Sequence, residues 1–266
     1  MTDAGTLILL CLGAGAFAGF IGALFGVGGG LVIVPTLTVV FTLLAVPEEV
    51  RVHLAVGTSL AIIVFVSLAA VRAHHRLGKV PWPRVREFAP SVAFGALLGA
   101  VLASRLPGPA LKACVGGFAL LMAAQMTLVT APRATADAAP LPLSRTIGGL
   151  IGAVSAIVGI GGGSLTVPYL LHRHTPIHGA VPVSSACGFP IALFGALGFA
   201  AMGASTPDLP PFSAGYVSFP ALAAIGLTSV LFAPLGARVA HRLPARALRR
   251  LFILLLIVVG LFMVFG

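Results

Sequence analysis

The chain has 266 residues, of which 59% are hydrophobic and 8% charged, with a mean hydropathy of +1.12. A soluble domain carries roughly 25% charged residues, so this inventory cannot cover a water-soluble surface and no segment is left for a soluble domain. The net charge of +10 sits on Arg and Lys in short loops between apolar spans, the pattern of topogenic charge on the cytoplasmic side and not of a nucleic-acid interface.

In chain order, the first apolar segment covers about residues 7–46 without a single charge. It is about twice the length of a signal-peptide core and lacks a basic n-region, so it is expected to belong to the mature protein. Residues 53–71, 88–104 and 110–130 complete a first set of four, with Arg72, Arg76, Lys79, Arg84 and Arg86 between the second and third. The stretch Ala131 to Ser144, with three prolines and mixed charges, reads as a linker. Four more segments follow at about 146–171, 178–202, 214–237 and 247–265. Here the basic cluster (Arg238, Arg242, Arg246, Arg249, Arg250) comes one segment later, and the preceding loop carries only Asp208. The expectation is an all-α integral membrane protein of about eight hydrophobic segments, each near the length needed to cross roughly 30 Å of hydrocarbon. Residues 1–130 form the first half, 131–145 the linker and 146–266 the second half.

The halves are copies of one unit. Gly26 to Pro35 (GVGGGLVIVP) returns as Gly159 to Pro168 (GIGGGSLTVP), His53 to Ser59 (HLAVGTS) resembles His178 to Ser184 (HGAVPVS), and Arg105-Leu-Pro answers Arg242-Leu-Pro. Each glycine costs a helix about 1 kcal/mol relative to alanine and each proline removes a donor, so the first segment of each half is expected to break in mid-membrane. If both basic clusters are cytoplasmic, the halves are inverted, and the broken segment after the linker must dip in and return to its own side. Eight plain crossings with parallel halves are the alternative.

With the paired glycine motifs, Ala55 to Ser59 and the repeated Arg-Leu-Pro, the chain resembles the TauE/SafE family of sulfite exporter-like membrane proteins over nearly its whole length. That resemblance implies transport of sulfur-containing anions such as sulfite, sulfoacetate and other small sulfonates, or of other small organic anions. The second half departs from the pattern at Pro182-Val183, where the first has Gly57-Thr58, so either Ser184 or Ser185 corresponds to Ser59.

The candidate substrate-binding residues are Gly26, Gly28, Gly29 and Gly30 with Thr58 and Ser59, and Gly159, Gly161, Gly162 and Gly163 with Ser164, Ser184 and Ser185. Helix breaks at the glycines would turn backbone N–H groups toward an anion, and the hydroxyls would add donors. The competing reading is close helix packing for the glycines and back-bonding to the main chain for the hydroxyls. Thr166 has a claim similar to Ser164 but a lesser one. His53 and His178 occupy matching places and titrate near neutral pH, which makes them candidates for coupling, although a solvated imidazole is the ordinary occupant of a segment end. Gln125 fits an interhelical hydrogen bond better than the pathway, and Cys187 a buried thiol. Cys11, Cys114 and Cys187 show no C-x-x-C spacing, and neither a metal nor a cofactor is implied.

The function that follows is secondary transport of a small anion in the cell membrane by alternating access, with a proton or sodium as possible coupling ion. The partners are then the substrate anion and membrane lipid. An anion channel is the alternative. A membrane-embedded enzyme fits less well, because the acidic residues lie at segment ends or in loops, away from where intramembrane catalysis would need them.

Overall fold

The computed structural model describes residues 4–25, 29–76, 80–128, 144–207 and 209–266. Gly26 and Gly28, the loop positions Lys79 and Asp208, most of the linker and the His178 side chain lie outside the described residues.

The helices are α1 (Ala4–Phe25), α2 (Gly30–Leu43), α3 (Glu48–Arg76), α4 (Trp82–Ser104), α5 (Gly108–Leu128), α6 (Arg145–Val158), α7 (Gly163–His172), α8 (Ile177–Gly203), α9 (Phe219–Arg242) and α10 (Ala245–Phe265). Each glycine-rich segment is indeed two helices, α1–α2 and α6–α7. The interruption falls at the glycines and not at the prolines, since Pro35 and Pro168 lie inside α2 and α7. Gly29 precedes α2 at φ 81° and Gly159 ends α6 at φ 75°, left-handed conformations that cost glycine nothing. The N–H of Ile160 then closes back on Ser155 O at 2.9 Å, capping α6.

Among the described residues, five helices are long and apolar enough to cross a membrane: Glu48–Arg76, Trp82–Ser104, Gly108–Leu128, Gly179–Gly203 and Arg246–Phe265. With 14 residues, α6 reaches only about 21 Å and cannot cross alone. Apolar side chains such as Phe94, Leu121, Leu227 and Leu254 remain exposed along the outer faces, as lipid contact requires. The chain is a multi-pass membrane protein.

Two close crossings tie the sequence halves together. Along α1 and α9, Gly15 meets Ile225 and Thr228, Gly19 meets the Ser229 backbone, and Gly236 meets Phe20; Ser229 Oγ donates to Gly15 O at 2.9 Å. Along α4 and α6, Gly95 meets Gly149, Gly99 meets Ala153 and Gly152 meets Val92. Contacts advance together along both helices of each pair, so both pairs are parallel. Small residues let the backbones approach where apolar burial gives no preference for protein over lipid.

The helix ends sort into two groups. Arg84 donates to Thr175 Oγ1 at 2.7 Å, Ser144 N–H to Tyr169 Oη at 2.9 Å, and Arg249 Nε to Met126 O at 3.1 Å. The start of α6 and the exit of α7 thus lie together at one end, and α6–α7 is a hairpin with its glycine turn inside the protein. At the other end His53 Nε2 lies 3.0 Å from Leu106 O, and Gly108 packs on Glu48 O. One feature departs from the all-helical expectation. Between α8 and α9, β1 (Ser213–Ala214) pairs with β2 (Val217–Ser218) in an antiparallel hairpin. Gly215 turns it at φ 52° against the backbone of Ala200, where a side chain has no room.

Candidate functional site

The two glycine breaks meet. A Cβ on Gly30 would lie 2.7 Å from both Gly159 O and Ile160 Cα, so the start of α2 rests directly on the end of α6. Ser59 Oγ donates to Gly159 O at 2.9 Å across the same junction. Gly159 itself faces Val34 and Val56. The first-half hydroxyls are therefore committed to structure: Ser59 holds the second break, and Thr58 Oγ1 accepts the N–H of Ser218 at 3.0 Å.

The second break is differently equipped. Among the described residues, Ser155, Ser164, Thr166, Ser184 and Ser213 carry buried hydroxyl oxygens without a hydrogen-bond partner, and the first four belong to α6, α7 and α8. Elsewhere the ordinary habit holds: Thr36, Thr38 and Thr42 of α2 each bond the carbonyl four residues back. Thr166 Oγ1 does not; its hydroxyl points toward the turn, 2.9 Å from where a Gly162 Cβ would stand. Buried polar groups are normally paired, and the four hydroxyls of α6, α7 and α8 have nothing to donate to.

Helix α7 supplies the frame. Its first N–H groups have no partner within the helix and carry the positive end of its dipole. Gly162, at its start, faces Gly188 N and Ile191 of α8, and Gly188 in turn faces Ser67 of α3. Thr166 lies one turn after Gly162 on α7, and Ser184 one turn before Gly188 on α8. Thr166 is 0% and Ser184 2% exposed, whereas Ser185 is half-buried. The structure brings Gly30, Ser59 and Gly159 together at one junction, with Gly161 and Gly162 in the turn that follows, facing Ile63 of α3 and Ile191 of α8. It leaves Thr58 to one side, against the β-hairpin.

Sequence reasoning ranked Thr166 below Ser59 and passed over Ser155, Ser67 and Gly188. A signal was present in the repeat: Leu31 and Ile33 of the first motif are replaced by Ser164 and Thr166 in the second. The breaks share a glycine pattern but not a backbone, since Gly29 is left-handed at φ 81° and its counterpart Gly162 is right-handed at φ −57°, and they differ in donors.

His53 is not the solvated imidazole that a segment end suggested. It is 3% exposed, its Nδ1 lies 3.0 Å from Glu49 O and its Nε2 3.0 Å from Leu106 O, and its ring packs 5.0 Å from that of Tyr216. It fastens the start of α3 to the α4–α5 turn, at the end of the molecule remote from the α7 exit. At that end a cleft of about 220 Å³ opens among Thr38, Thr42, Glu48, Arg51 and Lys112. Its cations are engaged: Arg51 donates twice to Val46 O, at 3.1 and 2.8 Å, and Lys112 sits 6.0 Å over the Phe262 ring. Among the described residues, no group of three His, Cys, Asp or Glu could hold a metal ion.

Residues 11–263 match the sulfite exporter TauE/SafE family. The chain is 38% identical over 257 residues to a protein of Haemophilus influenzae named "Probable membrane transporter protein", covering 96% of this chain and 97% of that one. A Methanocaldococcus jannaschii protein of the same descriptive name is 28% identical over 262 residues, or 97% and 95% of the two chains. One from Xylella fastidiosa is 31% identical over 199 residues, or 72% and 71%. No solved structure matches the chain. With the glycine motifs, the broken helices and the full-length matches in agreement, the chain belongs to the sulfite exporter TauE/SafE family and is a membrane transporter, not an enzyme.

Proposed function

We propose that the protein is a secondary transporter of a small anion, either sulfite, sulfoacetate, another small sulfonate or a small organic anion, and that the anion binds at the second glycine break. The observation that carries this reading is that α7 and its neighbour α8 carry buried hydroxyls without a partner, Ser164 and Thr166 on α7 and Ser184 on α8, with Thr166 aimed at the turn before α7. An oxyanion is an acceptor on every oxygen, and neutral donors at a helix N-terminus hold it without burying a cation. A cation site in hydrocarbon would instead recruit carboxylates or rings of carbonyls. The expected test result is saturable flux in proteoliposomes of labelled sulfite or a short sulfonate, responding to a proton or sodium gradient. Saturable movement of a small organic cation with none of the anions would overturn the reading, and non-saturating, gradient-insensitive anion flux would favour a channel.

The way the halves, residues 1–130 and 146–266, pack supports alternating access as the mechanism. The α1–α9 crossing joins the broken segment of the first half to the third segment of the second. The α4–α6 crossing repeats that arrangement with the halves exchanged, as inverted repeats require. Two such units rocking about the junction of the breaks would expose it to either side in turn. Inverted halves predict that single cysteines at Lys79 and Arg246 react from the cytoplasmic side and one at Asp208 from outside; labelling of Lys79 and Asp208 from the same side would contradict the arrangement.

A further inference from the structure

Resting on the reading of the protein as a secondary transporter, we propose that the coupling ion is a proton and that His53 is its site. The ring holds a proton on both nitrogens while the start of α3 is docked on the α4–α5 turn, and releases one when that contact opens. His53 Nδ1 lies 3.0 Å from Glu49 O and Nε2 3.0 Å from Leu106 O, and a carbonyl oxygen only accepts. A neutral imidazole has one N–H and one lone pair, so in the neutral ring one nitrogen would turn its lone pair on a carbonyl oxygen. Turning the ring over puts C–H groups in place of both nitrogens and loses both bonds. Only the imidazolium donates to both oxygens, through hydrogen bonds strengthened by its charge. The Tyr216 ring, 5.0 Å away, adds the attraction of a cation to an aromatic ring.

Burial opposes that charge. His53 is 3% exposed, and a cation taken out of water is costly without compensation. Among the described residues, the charged side chains next to the two carbonyls, Glu49 on α3 and Arg105 beside Leu106, are both exposed. Arg51 and Lys112 are turned to Val46 O and the Phe262 ring, and on the hairpin side the Tyr216 Oη accepts from Thr206 at 3.0 Å. The two carbonyls are thus the main support of the second proton, and withdrawal of the α4–α5 turn takes one of them away. The same helix reaches the glycine breaks. Ser59, about 9 Å farther along α3 at 1.5 Å per residue, donates to Gly159 O at their junction. A change in how the start of α3 is held therefore reaches the second break along one continuous helix.

Methanesulfonate is the anion of a strong acid and takes up no proton itself, so its uphill uptake under an imposed pH gradient, with the membrane potential clamped, reports a proton moved by the protein. Wild-type proteoliposomes should accumulate labelled methanesulfonate under that gradient, and His53→Gln should lose the dependence. A second readout needs neither transport nor that variant. In nitrogen NMR of protein with isotope-labelled histidine, keeping His53 as its one histidine, both ring nitrogens should resonate as N–H at neutral pH. A ring with one bare nitrogen, or pH-driven uptake by His53→Gln equal to wild type, would overturn the proton site and leave the transporter standing. Wild-type uptake driven by sodium and not by protons would do the same. Absence of saturable flux of both methanesulfonate and sulfite in the wild type would instead remove the transport reading, and this inference with it.

Discussion

Replacing Thr166 with Val and Ser184 with Ala in one variant should lower anion transport at sub-saturating substrate by about 100-fold or more, while the protein becomes harder to unfold. A hydrogen bond to a charged group contributes about 1.5–3 kcal/mol, roughly ten- to a hundredfold in affinity each, and both hydroxyls are without other employment. The opposite sign for stability has the same origin. A buried hydroxyl with no partner costs free energy in the substrate-free protein, so Val, with a methyl in the place of the Thr166 hydroxyl, and Ala, which removes the Ser184 hydroxyl outright, relieve about 1 kcal/mol per site. Uptake assays beside thermal unfolding distinguish this from general damage, which would lower both. Ser59→Ala is the contrasting case: it removes a formed bond and strands Gly159 O, so it should lose stability first. A double variant that transports normally would remove the hydroxyls from the pathway.

Gly30→Ala should abolish transport with the addition of one methyl group. The new Cβ would meet the carbonyl oxygen of Gly159 and the Cα of Ile160, each at 2.7 Å, and both are main-chain atoms that cannot rotate aside. The start of α2 must then withdraw from the end of α6, opening the junction beside the Ser59–Gly159 hydrogen bond. Overpacking of this kind costs about 1–3 kcal/mol, a loss readable by thermal unfolding. Gly226→Ala is the matched control, since only Ile62 Cγ1 lies within reach, at 4.0 Å, and it should leave uptake near wild type. Normal uptake by Gly30→Ala would mean that contact between the breaks is dispensable.

The sequence carried most of the fold because the bilayer demands long apolar runs, and runs such as 88–104 and 247–265 end within a few residues of α4 and α10. The glycine breaks were equally legible, as no helix runs through three successive glycines without cost. What the repeat concealed was asymmetry. In alignment Ser59 matches Ser184 or, with a shift of one residue, Ser185, yet Ser59 bonds across the junction and Ser184 is unpartnered. That distinction depends on which carbonyl lies within 3 Å, a property of packing. His53 and His178 likewise match in sequence, but the burial of His53 comes from the α4–α5 turn and Tyr216, distant in the chain. The small β-hairpin escaped notice because strands of two residues leave no period to read.

The central claim is that an anion sits at the start of α7, and the most direct measurement is anomalous diffraction from crystals of the protein grown with bromide, a monoanion with no shape requirement. The account predicts a bromide peak within hydrogen-bond distance of the first α7 amides and of the Thr166 or Ser184 hydroxyl. A strong peak in the Arg51–Lys112 cleft, with none at the second glycine break, would contradict it.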